Sequence, residues 1–284
     1  MAAFHRPTDL TEALGVLAQG DVTVAAGCTD LYPATQAKAL AGPVLDITAI
    51  NDLRGITQTD AGWRIGATTS WSDLLTTDLP PAFDGLKLAA QEVGSIQIQN
   101  AGTLAGNLCT ASPAADGAPC LMALDAMIEL QSAKGKRTLP LIEFLLGPRR
   151  TALRPDELLT AIHIPNASAQ GRSTFLKLGA RKYLIISIAM VSVRLEITGD
   201  IIDRAAISVG SCSPVAARLT ALETSLKGHS ATDAAALITP NLIAPALSPI
   251  DDIRADAAYR LTAATELTRR AISQLAGQKL GQAA

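Results

Sequence analysis

The chain has 284 residues, of which 48% are apolar, 18% are charged and 3% are aromatic, and its formal net charge is −2. This length and composition exclude a disordered protein and allow one large or two ordinary domains, with cores built from Ala, Leu, Ile and Val. No cluster of Lys and Arg exceeds the one from Lys134 to Arg137, so nucleic acid is not an expected ligand.

The N-terminus lacks the apolar segment of a signal peptide. The longest apolar run, Tyr183 to Val193, reaches only about half the length of a bilayer span. A cytoplasmic protein is therefore predicted. The cysteines lack C-x-x-C spacing, which indicates free thiols in a reducing compartment and no iron–sulfur cluster in this chain. They are Cys28, Cys109, Cys120 and Cys212.

The first predicted elements are a helix, a strand and a glycine turn. Residues 8–19 are typical of a short amphipathic helix capped by Thr8 or Asp9. A strand at 22–26 then leads into the turn 27–31, where a helix begins at Thr29 or Asp30. Such a helix start directs free N–H groups at whatever lies above the turn. Taken alone, the turn also fits an ordinary connection between a strand and a helix.

Alternating apolar residues and turn signals then predict a mixture of strands and helices up to residue 165. Strands are predicted at 44–47, 63–67 and 158–164, and residues 126–130 and 136–139 are predicted to pair as a hairpin. A helix is predicted to start within 68–75, and another helix is predicted at 83–93.

The stretch 94–126 differs from its surroundings in composition. From Gly94 to Ser112 it is rich in Gly, Thr, Ser and Asn and has no charged side chain, and an apolar, helix-compatible run follows at 121–124. Small residues let the backbone approach a ligand closely, and successive free N–H groups can bind an anion such as a diphosphate. We interpret this stretch as a cofactor loop.

Residues 166–171 are small and polar and are the best candidate for a domain boundary. Strands are predicted at 173–178, 188–198 and 201–210, and helices at 215–226 and 253–275. The second helix places an apolar stripe on one face, beginning at Ile253. This pattern fits a small antiparallel sheet covered by helices.

The usual catalytic motifs are absent from the sequence, including G-x-G-x-x-G, the phosphate loop and the nucleophile elbow. His5, His163 and His229 lack metal-ligand spacing, and His163 lies in an apolar strand pattern that favours a structural role over that of a general base. Two glycine-rich turns, at 26–31 and 102–107, therefore favour a phosphate-bearing cofactor that supplies the chemistry itself.

Several segments, taken together and in this order, resemble the FAD-binding component of molybdenum hydroxylases, the family of xanthine dehydrogenase and of the medium subunit of carbon monoxide dehydrogenase. They are Ala26–Leu31, Gly102–Asn107, Ala111–Asp116, Phe175–Lys177 with Arg181, Gly210–Pro214, Ala217–Arg218, Asp252–Arg254, Tyr259–Arg260 and Arg269–Ala271. The resemblance spans nearly the whole chain.

The resemblance implies an α+β fold. Its first part, residues 1–168, is a two-lobed FAD-binding domain of the vanillyl-alcohol-oxidase (PCMH) type, with lobes at about 1–56 and 57–168. Its second part, residues 170–284, is the family's flavoprotein C-terminal domain, with a small antiparallel sheet and helices.

The resemblance also implies the cofactor-binding residues, with no catalytic residue and no metal ligand in this chain. Both turns bind the FAD diphosphate, Asp116 contacts the adenosine end, and Leu159 and Lys177 lie beside the isoalloxazine. A cation there would stabilise the anionic reduced ring, whereas the alternative for Lys177 is a surface salt bridge. The implied turn residues are Ala26, Gly27, Cys28, Thr29, Asp30, Leu31, Gly102, Thr103, Ala105, Gly106 and Asn107.

By the same resemblance, the chain passes electrons to NAD, a quinone or O2. The electrons come from partner subunits that carry [2Fe–2S] clusters and the molybdopterin cofactor, and the implied assembly is a dimer of heterotrimers. The alternatives are a free-standing flavin oxidase, for which Tyr183 and His163 are poor candidate bases, and a scaffold that has lost its cofactor. Ala26 and Ala105 stand where the family often has glycine, and Ile185 where xanthine-type relatives have an acid.

Overall fold

The structure is a computed structural model that describes residues 3–36, 40–182 and 184–277. Its first lobe is a small parallel sheet with two helices. The elements are β1 (Phe4–His5), α1 (Leu10–Leu17), β2 (Thr23–Ala25), α2 (Leu31–Ala34) and β3 (Val44–Asp46). The strand order is β1-β3-β2, and Asp9 caps α1 by accepting a hydrogen bond from the Glu12 N–H. Leu14, Leu45 and Ile50 belong to its core.

The second lobe is an antiparallel sheet with helices. Its strands are β4 (Ile56–Thr59), β5 (Gly62–Gly66), β6 (Met127–Ser132), β7 (Gly135–Pro140), β8 (Leu145–Gly147), β9 (Arg150–Thr151) and β10 (Leu158–Pro165). Its helices are α3 (Trp71–Thr76), α4 (Asp84–Glu92), α5 (Ile96–Ala101), α6 (Leu104–Thr110), α7 (Gly117–Ala123) and α8 (Leu141–Phe144). The main sheet has the order β4-β5-β10-β6-β7, and β8 pairs with β9.

The C-terminal part is a four-stranded antiparallel sheet covered by helices, as predicted. Its elements are β11 (Arg172–Leu178), β12 (Ala189–Thr198), β13 (Ile201–Gly210), β14 (Ala217–Arg218), α9 (Thr220–Leu226), α10 (Ala231–Ala234), α11 (Pro240–Ile243) and α12 (Ala257–Leu275). The order is β11-β12-β13-β14, with a tight turn at Gly199 and Asp200 between the two longest strands. The α+β fold class and the small antiparallel sheet are thus confirmed.

Three predicted elements differ from the structure. The stretch 94–126, interpreted as a cofactor loop with a helix-compatible run at 121–124, contains the three short helices α5, α6 and α7. The helix predicted at 215–226 begins only at Thr220, because residues 217–218 pair with β13 as a fourth strand.

The helix predicted from Ile253 begins at Ala257, since Asp256 caps it by accepting from the Tyr259 N–H. Ile253 is 98% exposed, so its assignment to the buried stripe was wrong. No described helix is both long enough and apolar enough to cross a membrane.

Two arginines join the C-terminal sheet to the second lobe. Arg194 of β12 is buried and donates to the Ala123 carbonyl and to the Asp125 carboxylate, at 3.0 and 3.3 Å. Arg218 donates to the other oxygen of Asp125 at 2.7 Å and to the Met122 carbonyl at 2.7 Å. The end of α7 is therefore bound to two strands of the neighbouring sheet.

Candidate functional site

A cavity of about 580 Å³ lies between the lobe of β1–β3 and the lobe of β4–β10, and both predicted turns line it. The predicted residues in its lining are Ala26, Gly27, Cys28, Thr29, Asp30, Leu31, Thr103, Ala105, Gly106, Asn107 and Leu159. The predicted residues outside the lining are Gly102, Asp116 and Lys177. The fold therefore brings together two turns that are far apart in the sequence.

The two turns touch through bare backbone at Gly27. A Cβ atom on Gly27 would lie 1.9 Å from the Ala101 carbonyl oxygen and 2.9 Å from the Cα of Gly102. Real Cβ atoms do not approach backbone this closely, so glycine is required here for steric reasons. Gly102 does not line the cavity, but it provides the surface against which Gly27 packs.

Several backbone N–H groups of the lining form no hydrogen bond with another described residue. They belong to Gly27, Cys28, Thr29, Asp30, Thr103 and Ala105. Cys28 has a left-handed φ of 57°, whereas Asp30 is right-handed at −105°. N–H groups in a turn that contains both left-handed and right-handed residues can form a concave site for anions. The lining thus has the donors that a diphosphate requires.

Side chains hold this arrangement in place. Thr103 caps α6 by accepting from the Gly106 N–H at 3.0 Å, and the Thr110 hydroxyl donates to Asp30 at 2.9 Å. The turn 26–31 is therefore fixed against both ends of α6, at Gly102 and at Thr110. A Cβ atom on Gly106 would lie 2.8 Å from the Thr103 hydroxyl, so a side chain there would disturb the cap.

Among the described lining residues, the charged ones are Asp30, Arg149 and Glu157. Glu157 is already paired: it accepts from Arg137 Nε and Nη2 at 2.7 and 2.8 Å, and hydrogen bonding to Arg137 lowers the pKa of Glu157. The side chain of Arg149 forms no hydrogen bond or ion pair with another described residue. Among the charged side chains of the described lining, Arg149 is therefore an unpaired cation, and the others are the carboxylates of Asp30 and Glu157.

The Cys28 thiol of the lining is a poor nucleophile. Desolvation raises the pKa of the half-buried Cys28, so this thiol is protonated at neutral pH. Within the described residues, no group of three or more His, Cys, Asp or Glu side chains has the arrangement of a metal site.

Asp116 and Lys177 form a buried ion pair outside the cavity lining. Lys177 Nζ lies 3.0 Å from Asp116 Oδ2, and Ser187 donates to Asp116 Oδ1 at 3.1 Å. The Lys177 side chain is 7% exposed, so the pair is not a surface salt bridge. Burial raises the pKa of Asp116, and Lys177 acts in the opposite direction. Because the two side chains touch, they cannot serve opposite ends of an extended dinucleotide, as the resemblance implied.

His163 lies within the second lobe's main sheet and not in the cavity lining. Its Nε2 is 3.1 Å from Glu129 Oε2, and Glu129 also accepts from Thr160 at 2.7 Å and from Lys136 at 3.1 Å. This placement agrees with the structural interpretation of His163. Tyr183, the other candidate base, lies outside the described residues.

The lining residues that sequence reasoning did not identify include Trp71, Arg149 and Glu157, which all carry polar groups. Trp71 follows Ser70, which forms a capping box with Asp73 at the start of α3. This pattern is visible in the sequence and fixes where the helix starts. Nothing in the sequence, however, indicates that residue 71 faces residues 27–30.

The chain matches two family profiles along most of its length. A profile described as "FAD binding domain in molybdopterin dehydrogenase" matches residues 1–167, and one described as "CO dehydrogenase flavoprotein C-terminal domain" matches residues 174–275. The two matches follow one another without overlap.

Named relatives and solved structures match the chain over nearly its full length. It is 30% identical to a carbon monoxide dehydrogenase medium chain of Afipia carboxidovorans, covering 95% of both chains. It is also 30% identical to a nicotine 6-hydroxylase medium subunit of Paenarthrobacter nicotinovorans, again covering 95% of both. A structure of reconstituted CO dehydrogenase from Oligotropha carboxidovorans superposes with a TM-score of 0.89 at 26% identity, covering 98% of this chain and 99% of that chain.

Proposed function

Because the chain belongs to the family of FAD-binding domains in molybdopterin dehydrogenases, we propose that it is the FAD-binding, electron-transferring subunit of a molybdenum hydroxylase complex. The observation that carries this proposal is the set of unpaired N–H groups on both turns of the cavity. These donors match a diphosphate, and the cofactor that carries it would supply the redox chemistry itself.

In this proposal the turns 26–31 and 102–107 hold the diphosphate through backbone N–H groups. Thr29 and Asn107 add side-chain donors, and Leu159 contributes an apolar wall. When bound, FAD supplies a redox centre that stores two electrons and can exchange them with carriers of one electron or two. The residues of this chain bind and orient it and set the local charge.

Asp116 and Lys177 remain part of the proposed cofactor site on the basis of the family resemblance. Their contact at 3.0 Å supports a shared role at one end of the cofactor, with Asp116 fixing the Lys177 ammonium. A cation near the isoalloxazine favours its anionic reduced form. We also propose residues 1–168 and 170–284 as the two domains.

The proposed complex contains a [2Fe–2S] subunit and a large subunit with the molybdopterin cofactor, as a dimer of heterotrimers in the cytoplasm. The relatives' designations as medium chain and medium subunit support partners of other sizes. One solved relative, from Hydrogenophaga pseudoflava, is described as lacking the Mo-pyranopterin moiety of its molybdenum cofactor. We propose that electrons leave this chain's flavin for NAD, a quinone or O2.

The direct experiment is to purify the native complex through a tag on this chain and to measure flavin, iron, sulfide and molybdenum. The proposal expects FAD, released on denaturation, together with two partner subunits, one of which contains iron and sulfide. A complex without flavin would refute the proposal. A flavin-containing chain that purifies alone and oxidises a substrate would favour the free-standing oxidase.

The first prediction concerns Gly106→Val in the full-length chain. A branched side chain would enter the cavity and displace the Thr103 hydroxyl, which lies 2.8 Å from the Cβ position, so we expect FAD binding to be lost. The measurement is flavin content after reconstitution, with circular dichroism to show that the chain is folded.

Gly15→Val is the matched control, since the Cβ position at Gly15 has no atom within 4 Å and Gly15 does not line the cavity. Normal flavin content in Gly106→Val would show that the cofactor does not lie against this turn.

A further inference from the structure

Trp71 is fixed against the second turn by its own backbone and by its helix start. Its N–H donates to the Gly102 carbonyl at 3.2 Å. The preceding residue, Ser70, forms a capping box with Asp73, and Asp73 pairs with Arg54 at 2.9 Å. The start of α3 is therefore held by several interactions, and the position of the indole is set before any ligand binds.

Distances locate the edge of the indole that carries its nitrogen. The Cδ1 atom of Trp71 lies 3.4 Å from the Cβ position of Gly102, and the Thr29 hydroxyl lies 3.3 Å from that same point. At the other end of the edge, Cη2 and Cζ2 lie 2.7 and 3.6 Å from the Cβ position of Gly117. The Nε1 atom is bonded to Cδ1, so it lies at the end near Gly102 and Thr29, where the two turns meet.

The indole N–H has no partner within the described part of the chain, although Trp71 is only 2% exposed. Buried indole N–H groups normally find an acceptor. Among described residues, the side-chain nitrogen and oxygen atoms that are both sealed from solvent and unpaired are Ser211 Oγ and Arg260 Nε. The Trp71 nitrogen is therefore not sealed. Trp71 is also one of the residues that line the cavity.

We propose that Trp71 is a cofactor-binding residue whose indole N–H donates a hydrogen bond to a phosphate oxygen of FAD. The inference rests on the proposed function and adds a side-chain donor to the backbone donors of the two turns. The acceptor is assigned to the phosphate because Nε1 lies beside Gly102 and Thr29, where the unpaired N–H groups of Thr29 and Thr103 also lie.

The test uses Trp71→Phe, which retains an aromatic ring and removes the donor. The sequence contains two tryptophans, so Trp63→Phe is the matched control. Trp63 lies on β5 and packs edge-on against Phe83 with ring centroids 5.8 Å apart, outside the cavity lining. Dissociation constants of FAD and of ADP are measured for the full-length cofactor-free chain by calorimetry. ADP carries the diphosphate and adenosine without the flavin.

A hydrogen bond to a charged group contributes substantially to the binding free energy. Trp71→Phe should therefore raise the dissociation constant of FAD about tenfold or more, and that of ADP by a similar factor. Trp63→Phe should bind both as the unmodified chain does. Equal FAD affinity in Trp71→Phe and the unmodified chain would overturn the inference. A loss confined to FAD, with ADP unchanged, would also overturn it, because the acceptor would then lie on the flavin.

Fluorescence gives a second measurement that does not depend on the stability of Trp71→Phe. In Trp63→Phe the emission comes from Trp71 alone, and ADP, which does not absorb at these wavelengths, should shift it. An unchanged spectrum at saturating ADP would contradict the contact. If the unmodified chain and Trp63→Phe both fail to bind FAD, the proposed function itself is wrong, which separates the two failures.

Discussion

Cys28 has a backbone conformation that L-amino acids rarely adopt. Its φ of 57° is left-handed, which costs an L-residue about 1 kcal/mol or more. Neighbouring N–H groups in this turn are unpaired within the described chain, and their residues line the cavity.

The second prediction is that Cys28→Gly raises the free energy of unfolding of the cofactor-free chain by about 0.5–1 kcal/mol, because glycine adopts this φ without steric cost. FAD affinity should be retained. Chemical denaturation measures the change. Cys28→Ala is the control, since it removes the thiol and keeps the steric cost. Equal stability of the two variants would show that the backbone is not strained.

Arg149 supports the third prediction. It is the described lining cation without a partner, and it faces a cavity whose other charged lining residues, Asp30 and Glu157, are acidic. A diphosphate adds further negative charge, so Arg149→Ala should weaken the binding of FAD about tenfold. Arg149→Lys should retain most of the affinity for FAD.

Titration of FAD by fluorescence at low and high KCl measures this effect, which should shrink as salt screens the charge. Arg150→Ala is the control, because Arg150 is exposed and does not line the cavity. If Arg149→Ala and Arg150→Ala bind FAD alike, Arg149 does not contribute to the site.

At the scale of elements, one carboxylate joins three neighbouring strands. Glu129 of β6 accepts hydrogen bonds from Thr160 and His163 of β10 and from Lys136 of β7. The hydrogen bond with His163 is the largest of the effects that together lower the pKa of Glu129 to about 2. β10 also carries Leu159 into the cavity, so this contact helps to hold a wall of the site.

The fourth prediction follows from the sign of that shift. A depressed pKa in the folded state contributes stability above the unfolded pKa of about 4.3, and this contribution is lost as the pH falls toward 2. Glu129→Gln should therefore be less stable than the unmodified chain at pH 7, by at most about 3 kcal/mol, and the difference should shrink between pH 4.5 and pH 2.5.

Urea denaturation across this pH range measures the difference. Glu143→Gln, at an exposed position of α8, is the control and should show no such dependence. A difference between Glu129→Gln and the unmodified chain that stays constant from pH 7 to 2.5 would contradict the assignment.

Strands were predicted better than helices, for a physical reason. Segments such as β10, β12 and β13 are long apolar runs with clear turns between them, so periodicity is enough to locate them. The helices α5 (Ile96–Ala101) and α6 (Leu104–Thr110) are too short for an apolar period to stand out in the sequence; α6 is fixed by its buried Leu104 and Leu108 and by the Thr103 cap. The start of α12 depends on the Asp252–Ala255 turn, which the apolar pattern does not show.

At the scale of the whole molecule, the C-terminal sheet and the second lobe share a charged contact at Asp125. This carboxylate accepts from Arg194, from Arg218 and from the Ser168 hydroxyl. Arg194 is 1% exposed, so the loss of its charged partner would leave a buried cation only partly compensated by Glu196.

The fifth prediction is that Asp125→Asn lowers the free energy of unfolding by about 1–3 kcal/mol, a range that allows for the partial exposure of Asp125. Asparagine also tolerates the left-handed φ of 51° at this position, so the charge is the main change. Calorimetry should show a lower and broader transition as the two parts lose their coupling. Asp60→Asn, in the exposed turn between β4 and β5, is the control and should leave the calorimetric transition unchanged.

The candidate site was predictable in part. Motif resemblance gave both turns and Leu159, which all contribute to the cavity lining, and at Gly27 the residue type is required by close backbone contact. Trp71 and Arg149 could not be found in this way, since their roles depend on the fold that brings them to the same cavity. The pairing of Asp116 with Lys177 also depends on contact between residues of different domains. The predicted boundary between residues 168 and 170 stays a prediction.

The unpaired N–H groups of the two turns also bear on how much of this protein a cell contains. In the cofactor-free chain these donors are hydrated, and a ligand that binds only the folded state stabilises it in proportion to the logarithm of its concentration. A cell short of riboflavin would therefore hold a larger unfolded fraction of the newly made chain, which proteases remove. The abundance of the protein would then follow the vitamin supply without any change in transcription.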